Sequence, residues 1–145
     1  MSDGDCYLET SALLPYYREE PASGAVEAFL RARAQPVRVS RLVEVEFCSA
    51  LARWVRTCEL DEAQAMLIER AYLDDLLAGR LDLTPLPARA YVQARDWLLR
   101  REVPLRTLDA LHLAACYEME AELVTCDRQL HRSAERLAVP SRLLG

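Results

Sequence analysis

The chain has 145 residues, of which 52% are apolar and 28% charged, and its formal net charge is −5. This length and composition fit one ordinary domain with its own hydrophobic core, so we expect residues 1–145 to form a single domain. The negative charge argues against binding of nucleic acid by bulk electrostatics, although it allows a local basic rim. All basic residues are arginine, and the absence of lysine excludes Walker A phosphate loops and Schiff-base chemistry.

The first half of the chain alternates short apolar runs with amphipathic segments. Cys6-Tyr7-Leu8 predicts a strand, and a helix follows in which Ser11 is placed to act as the cap. A second helix is expected to open with Pro21 at its first position. Val37-Arg38-Val39 predicts the second strand, and Ser40 is a suitable cap for a third helix.

The second half continues this alternation. A capping box at Asp61 to Gln64 starts a helix that runs to about Leu77 and is closed by Gly79. The remaining predicted elements are a strand at Leu81-Asp82-Leu83, a helix from Pro87 to Arg101, a helix capped by Thr107, a strand at Leu123-Val124-Thr125, a helix starting at Asp127 and an edge strand within Val139 to Leu143. Strands that alternate with helices predict an α/β fold with a parallel sheet covered on both faces.

Membrane, secreted and zinc-binding proteins are not indicated by this sequence. No run of ~18 uncharged apolar residues is present, so we expect no membrane-spanning segment. The start Met1-Ser2-Asp3-Gly4-Asp5 lacks the basic and apolar regions of a signal peptide, which favours a cytoplasmic protein. The five cysteines form no CxxC pair. This argues against a zinc site and predicts buried, reduced thiols.

Carboxylates occur where parallel sheets bind ligands, at the carboxyl ends of the strands. Glu9 follows the first strand directly, and Asp127 follows Thr125 with one residue between them. Asp109 lies in the first turn of its predicted helix, where the helix dipole favours a negative charge. Glu46 lies about two turns into the third helix with mostly apolar and small neighbours, an unusual place for a solvated acid.

A group of such acids suits a hard divalent cation. Mg²⁺ prefers oxygen ligands, and it reverses the charge of acids that would otherwise repel a phosphodiester. Without a cation, clustered acids raise one another's pKa values. Each acid alone also has an ordinary structural interpretation, as a strand-end or helix-start residue or, for Glu46, as a partner of Arg41 or Arg53. His112 either orients a ligand or, as the simpler interpretation, bonds to backbone at the edge of the core.

Four short segments together resemble the PIN-domain family, especially its bacterial VapC-type toxins. They are Tyr7-Leu8-Glu9-Thr10-Ser11-Ala12-Leu13, Val39-Ser40 with Glu46 and Ser49-Ala50-Leu51, Leu108-Asp109-Ala110-Leu111-His112-Leu113-Ala114, and Leu123-Val124-Thr125-Cys126-Asp127. They occur in the family's order, with family-like separations, and span nearly the whole chain.

This resemblance implies a PIN-like three-layer α/β/α sandwich with a central parallel sheet. It implies a metal-dependent endoribonuclease that hydrolyses RNA phosphodiester bonds as the toxin of a type II toxin–antitoxin pair. A small antitoxin partner and a homodimeric state are implied as well. The implied catalytic residues and ligands of Mg²⁺ or Mn²⁺ are Glu9, Glu46, Asp109 and Asp127, with Ser11 and Thr125 in supporting roles that position acids or a bound water.

One residue departs from the family pattern, since the family normally has Asp where this chain has Glu9. The extra methylene moves the carboxylate oxygens by ~1.5 Å, whereas Mg²⁺ demands near-ideal geometry. A non-catalytic PIN-like module, which binds RNA or protein through a site impaired by Glu9, is therefore the alternative function. A receiver-like signalling domain also places acids at strand ends, but the missing lysine counts against it. Glu44 is a second candidate beside Glu46, whose spacing from Ser40 fits the family better.

Overall fold

The computed structural model describes residues 4–145, so Met1-Ser2-Asp3 of the acidic start lies outside the described residues. The strands are β1 (Cys6–Leu8), β2 (Val37–Ser40), β3 (Leu81–Thr84), β4 (Glu122–Thr125) and β5 (Ser141–Leu143). The helices are α1 (Thr10–Tyr17), α2 (Ser23–Arg31), α3 (Arg41–Arg56), α4 (Glu62–Leu77), α5 (Ala88–Arg100), α6 (Thr107–Met119) and α7 (Arg128–Arg136). None of these helices is long and apolar enough to cross a membrane.

The strands form one parallel sheet in the order β3-β2-β1-β4-β5. The chain moves from the central β1 outward through β2 and β3, then returns to place β4 on the other side of β1. The direction of winding therefore reverses between β1 and β4, and such a reversal leaves a crevice at the carboxyl ends of the two strands. The predicted α/β fold with a parallel sheet is confirmed, as is the PIN-like α/β/α architecture.

The sheet forms the middle of the hydrophobic core. Tyr7, Leu8, Leu123 and Val124 in the two central strands are fully buried. Both faces of a parallel sheet are covered by helices, which is why these strands are nearly continuous apolar runs rather than alternating ones. Helix α1 contacts α2, α3 and α4, helix α3 contacts α4, and α5 packs along α6.

Several predicted helix starts are wrong by one or two residues. Glu9, not Ser11, is the cap residue of α1, and Arg106 rather than Thr107 precedes α6 without a side-chain cap. Helix α2 begins at Ser23, after the turn that contains Pro21. By contrast, the predicted capping box of α4 is confirmed, and Gly79 follows that helix with a φ of +76°. At α1 the boundary error arises because two neighbouring polar residues can serve as the cap and Glu9 takes that role, whereas α2 and α6 begin without a side-chain cap.

The cysteines differ from the expectation of buried thiols. Cys6 and Cys116 are buried, and burial raises the pKa of the Cys116 thiol. Cys48 and Cys58 are exposed, so the expectation is wrong for these two. Cys48 directly follows the inward-facing Phe47 on α3, and one residue rotates a helical side chain by about 100°, away from the core.

Candidate active site

Glu9 stands at the crevice between β1 and β4. Its backbone N–H donates to the Val124 carbonyl at 3.0 Å, so the sheet still holds this residue as α1 begins. Its carboxylate is 7% exposed and accepts from the Ser11 N–H at 3.1 Å, from the Ser11 hydroxyl, and from the Thr125 hydroxyl at 2.8 Å. Glu9 is therefore a carboxylate whose direction the surrounding donors fix.

Ser11 and Thr125 connect this acid to the segment after β4. The Ser11 hydroxyl accepts from the Cys126 N–H at 3.0 Å, and the Thr125 hydroxyl accepts from the Asp127 N–H at 3.0 Å. Both hydroxyls also donate to Glu9, so each has a donor and an acceptor role. These hydrogen bonds join the carboxyl ends of β1 and β4.

Glu46 lies on the inner side of α3, whose N-terminus is at the carboxyl edge of the sheet because the helix follows β2. Its Oε1 accepts from the Thr10 hydroxyl at 2.7 Å and contacts Nε2 of His112. It pairs with neither Arg41 nor Arg53, because Arg41 instead contacts Glu44 on another face of the helix. Glu46 is therefore directed into the site, and Glu44 is not.

His112 belongs to a buried chain of side chains. It is 1% exposed; Nδ1 lies 2.7 Å from the Tyr7 hydroxyl, which lies 2.8 Å from the Ser40 hydroxyl. The predicted bond from His112 to backbone is absent, because both ring nitrogens are occupied by the side chains of Tyr7 and Glu46. These contacts anchor Glu46 to β1 and to the end of β2.

The electrostatics of Glu46 differ from the expectation that clustered acids raise one another's pKa values. Burial alone would raise the pKa of Glu46, but the hydrogen bond and charge of His112, with smaller effects of Thr10 and Arg106, lower it overall. Hydrogen bonds to the ionised form favour that form. At Glu46 the combined effect of His112, Thr10 and Arg106 on the pKa is therefore larger than the effect of burial.

Asp109 and Asp127 form the outer part of the site. Asp127 caps α7: its Oδ1 accepts from the N–H groups of Gln129 at 2.8 Å and Leu130 at 3.1 Å, while Oδ2 lies near Arg106. Asp109 lies in the first turn of α6, which runs back to β4 and so begins at the carboxyl edge. Arg106 bridges them, with Nε 3.0 Å from Asp109 and a terminal nitrogen 3.8 Å from Asp127.

The structure groups two of the four predicted acids, Glu9 and Glu46, with His112, and Arg106 joins the other two, Asp109 and Asp127. Ligand atoms of Glu9, Glu46 and His112 all lie within 4.8 Å of one another. The Thr125 hydroxyl donates to Glu9 and accepts from the backbone N–H of Asp127. The hydrogen bond that Arg106 donates to Asp109 is the largest cause that raises the pKa of Arg106, and the charges of Asp109, Asp127 and Glu46 add to it. Both His112 nitrogens are engaged by side chains, whereas a hydrogen-bonded carboxylate oxygen keeps a further lone pair. The metal ligands that the site offers are therefore carboxylate oxygens. This donor set fits a hard divalent cation such as Mg²⁺ or Mn²⁺.

Three further residues at the site were not singled out by the sequence interpretation. Thr10 and Tyr7 lie within two residues of Glu9 in the sequence. Thr10 contacts Glu46 and Tyr7 contacts His112, and these contacts between different elements leave no local pattern. Arg106 does leave a local pattern, because it lies three residues before Asp109 at a helix start and can form an i, i+3 ion pair with it.

A cavity of about 430 Å³ lies elsewhere, at the amino ends of β2 and β3. Its walls include Arg31 and Arg80, but these already pair with Glu27 and Asp75. None of the four site acids lines it. Ligands of parallel sheets bind at the carboxyl ends of strands, so we place the chemistry at the crevice and not in this cavity.

The PIN domain family matches residues 6–136, which is most of the chain. The chain belongs to the PIN domain family. The matched range contains all four acids, both supporting hydroxyls and the switch of winding between β1 and β4. No match was found among curated proteins.

Solved structures that share this fold include bacterial toxin proteins. VapC20 from Mycobacterium tuberculosis, described as a sarcin-ricin loop cleaving toxin, is 16% identical with a TM-score of 0.67, covering 88% of this chain and 94% of its own. VapBC2 from Rickettsia felis, bound to a promoter DNA fragment, is 15% identical with a TM-score of 0.66, covering 96% and 98%. FitAcB from Neisseria gonorrhoeae is 19% identical with a TM-score of 0.71, covering 94% and 95%. At these identities the likeness establishes the shared fold of the PIN domain.

Proposed function

We propose that this PIN domain is a metal-dependent endoribonuclease that hydrolyses RNA phosphodiester bonds, and that it is the toxin of a type II toxin–antitoxin pair. The observation that carries the proposal is the group formed by Glu9, Glu46 and His112, whose ligand atoms lie within 4.8 Å of one another. Asp109 and Asp127, joined through Arg106, are proposed to complete this site at the switch between β1 and β4. Membership of the PIN family and the shared fold with VapC20, described as a sarcin-ricin loop cleaving toxin, support the proposal. An RNA substrate also implies action in the cytoplasm.

In this proposal the four acids hold one or more Mg²⁺ or Mn²⁺ ions. A bound cation of this kind offsets negative charge on the phosphodiester and favours ionisation of a water molecule. The protein's own contribution is orientation: Ser11 and Thr125 fix Glu9, and His112 fixes Glu46. Asp109 and Asp127, with side chains 16% and 33% exposed, share the exposed Arg106, and in this proposal RNA approaches from their side.

A cleavage assay with matched variants tests this proposal. Purified protein should cut a labelled RNA oligonucleotide in Mn²⁺ or Mg²⁺, and excess EDTA should stop it. Asp109→Asn should reduce cutting below detection while circular dichroism and melting stay close to wild type. The matched control is Asp96→Asn, because Asp96 is also an aspartate paired with an arginine but lies on α5. Equal cutting in EDTA, or by the Asp109 variant, would contradict the mechanism.

The second candidate function is the non-catalytic PIN-like module. The observation that favours it is the buried Glu9 carboxylate, which already accepts three hydrogen bonds and so is satisfied without a cation. This candidate predicts RNA or protein binding that is indifferent to Mn²⁺. Calorimetric titration with Mn²⁺ separates the two functions, since only the ribonuclease requires a measurable affinity for the ion.

A small antitoxin is the proposed protein partner. Structures similar to this chain include VapBC and FitAB complexes, and several of them hold DNA. The proposal predicts that a neighbouring reading frame encodes a small DNA-binding protein. Co-expression should yield a complex that purifies together and suppresses RNA cleavage, whereas a complex that cuts as fast as the isolated chain would contradict the antitoxin role.

We also propose a homodimer formed through α4. Met66, Leu67, Leu73 and Leu77 on this helix are 63%, 71%, 52% and 87% exposed, an apolar surface of the kind that marks interfaces. Light scattering should return a dimer mass, and Leu73→Glu should shift it toward the monomer. Leu99→Glu on α5 is the matched control, since Leu99 is 59% exposed. A monomer mass over a wide concentration range would reject the dimer.

A further inference from the structure

Arg106 is a cation placed among acids that are proposed to bind a cation. Its backbone precedes α6, and its side chain is 75% exposed. Nε donates to Oδ2 of Asp109 at 3.0 Å, and a terminal nitrogen lies 3.8 Å from Oδ2 of Asp127, close enough for an ion pair. The guanidinium therefore occupies the outer side of the site and neutralises part of its charge.

Binding of a cation by Asp109 and Asp127 would weaken their ion pairs with Arg106. Their oxygens would then have another positive partner, so the guanidinium would be attracted to them less strongly. An exposed side chain on a flexible stem can move without disturbing the core. A guanidinium keeps its charge at any pH relevant here and presents five N–H donors in a fork that matches phosphate oxygens as well as carboxylate oxygens.

We propose that Arg106 is a phosphate-binding residue for the RNA substrate, held by Asp109 and Asp127 until these carboxylates bind the cation. The inference rests on the proposed ribonuclease function and names a residue outside its set of acids. It also explains how a chain with a net charge of −5 and no lysine offers a cation at its acidic centre. In the metal-free protein Arg106 pairs with the carboxylates that an incoming cation needs, and in the metal-loaded protein it binds RNA.

This dual role predicts opposite effects of one substitution. Arg106→Gln removes the competitor, so Mn²⁺ should bind several-fold more tightly in calorimetry. The same change removes a charged contact with phosphate, so KM for a labelled single-stranded RNA oligonucleotide should rise about 10-fold, with a smaller change in kcat. The slope of log KM against log salt concentration should fall by ~0.7, because one phosphate contact is lost.

Two further variants make the test specific. Arg106→Lys keeps the charge but not the fork, so Mn²⁺ affinity should stay near wild type while KM still rises. Arg95→Gln is the matched control, since Arg95 is also exposed and paired with an aspartate, but on α5. It should change neither quantity. Circular dichroism should report an intact fold in all variants, as Arg106 is a surface residue.

The outcomes separate this inference from the proposed function. If Arg106→Gln weakens Mn²⁺ binding or leaves KM unchanged, the phosphate-binding role is overturned, although a metal-dependent ribonuclease would stand. A role limited to positioning Asp109 would weaken metal binding and lower kcat, with the salt slope unchanged, and would overturn the inference. If the wild type neither binds Mn²⁺ nor cuts RNA, both the proposed function and the phosphate-binding role of Arg106 are rejected.

Discussion

The inner and outer parts of the site hold their acids in different ways. Glu9 and Glu46, the inner acids, are held by hydroxyl, backbone and imidazole groups that belong to the packed fold. Asp109 and Asp127, the outer acids, share the exposed guanidinium of Arg106. The inner partners cannot leave without disturbing the core, whereas the outer partner can move into solvent.

The two kinds of partner predict different roles for the inner and the outer acids in metal binding. Oriented inner carboxylates set the position and the coordination geometry that a cation would meet, because their own hydrogen bonds fix them in advance. The outer carboxylates add charge and affinity, and their exposed cation is the partner that an incoming metal ion has to replace. Substitutions in the inner part should therefore change metal binding through geometry, and those in the outer part through charge.

The largest effect should come from removing the charge of the best-held inner acid. Glu9→Gln keeps the size and deletes the charge, so Mn²⁺ affinity measured by calorimetry should fall at least about 10-fold. Glu9→Asp retracts the oxygens but keeps the charge, and it should change affinity only mildly if the site is adapted to Glu9. A gain in affinity with Asp would mean a site shaped for the shorter acid. Unchanged binding in Glu9→Gln would favour the non-catalytic module.

A smaller effect is expected from the support of Glu9. Thr125 is completely buried, so Thr125→Val removes a donor to Glu9 and an acceptor of the Asp127 N–H while preserving shape. The metal-free protein should lose about 1–3 kcal/mol in the free energy of unfolding, and RNA cleavage should fall about 10-fold. Thr125→Ser restores the hydroxyl and should recover both. Failure of the serine variant to recover cleavage would argue that packing, not hydrogen bonding, is the contribution of Thr125.

The smallest effect concerns the acid dependence of stability at Glu46. Its folded pKa is lowered, so ionised Glu46 stabilises the fold above its unfolded pKa of about 4.3, and this contribution is lost as pH falls through the folded value. Glu46→Gln should cost about 1 kcal/mol in the metal-free protein at pH 7, and the difference from wild type should shrink at acid pH.

Urea denaturation at several pH values measures this difference. Glu27→Gln provides the control, because Glu27 makes only an exposed ion pair with Arg31 on α2, and such pairs contribute little. A stability difference for Glu46→Gln that is constant from neutral to acid pH would show that the carboxylate charge is not the source of its contribution.

The sequence predicts the sheet edge at which the acids collect, because this follows from local order along the chain. Glu9 and Asp127 each follow a buried apolar strand, and parallel strands bring their carboxyl ends to the same edge. Helix starts were less predictable: neighbouring polar residues compete as caps, and Glu9 replaced Ser11 in that role at α1. The partners of Glu46 were not predictable, since Thr10 and His112 are distant in sequence.

What the sequence by itself determined is therefore the alternation of elements, the parallel sheet and the position of the acids along the chain, because these depend on periodicity and on neighbouring residues. Only the tertiary structure decided which groups lie between the acids. His112 and Arg106 approach Glu46 and Asp127 across segments that pack together only after folding. Because such contacts depend on distances between elements, the lowered pKa of Glu46 and the contact of Arg106 with Asp127 leave no pattern in the sequence, unlike the i, i+3 pair of Arg106 with Asp109.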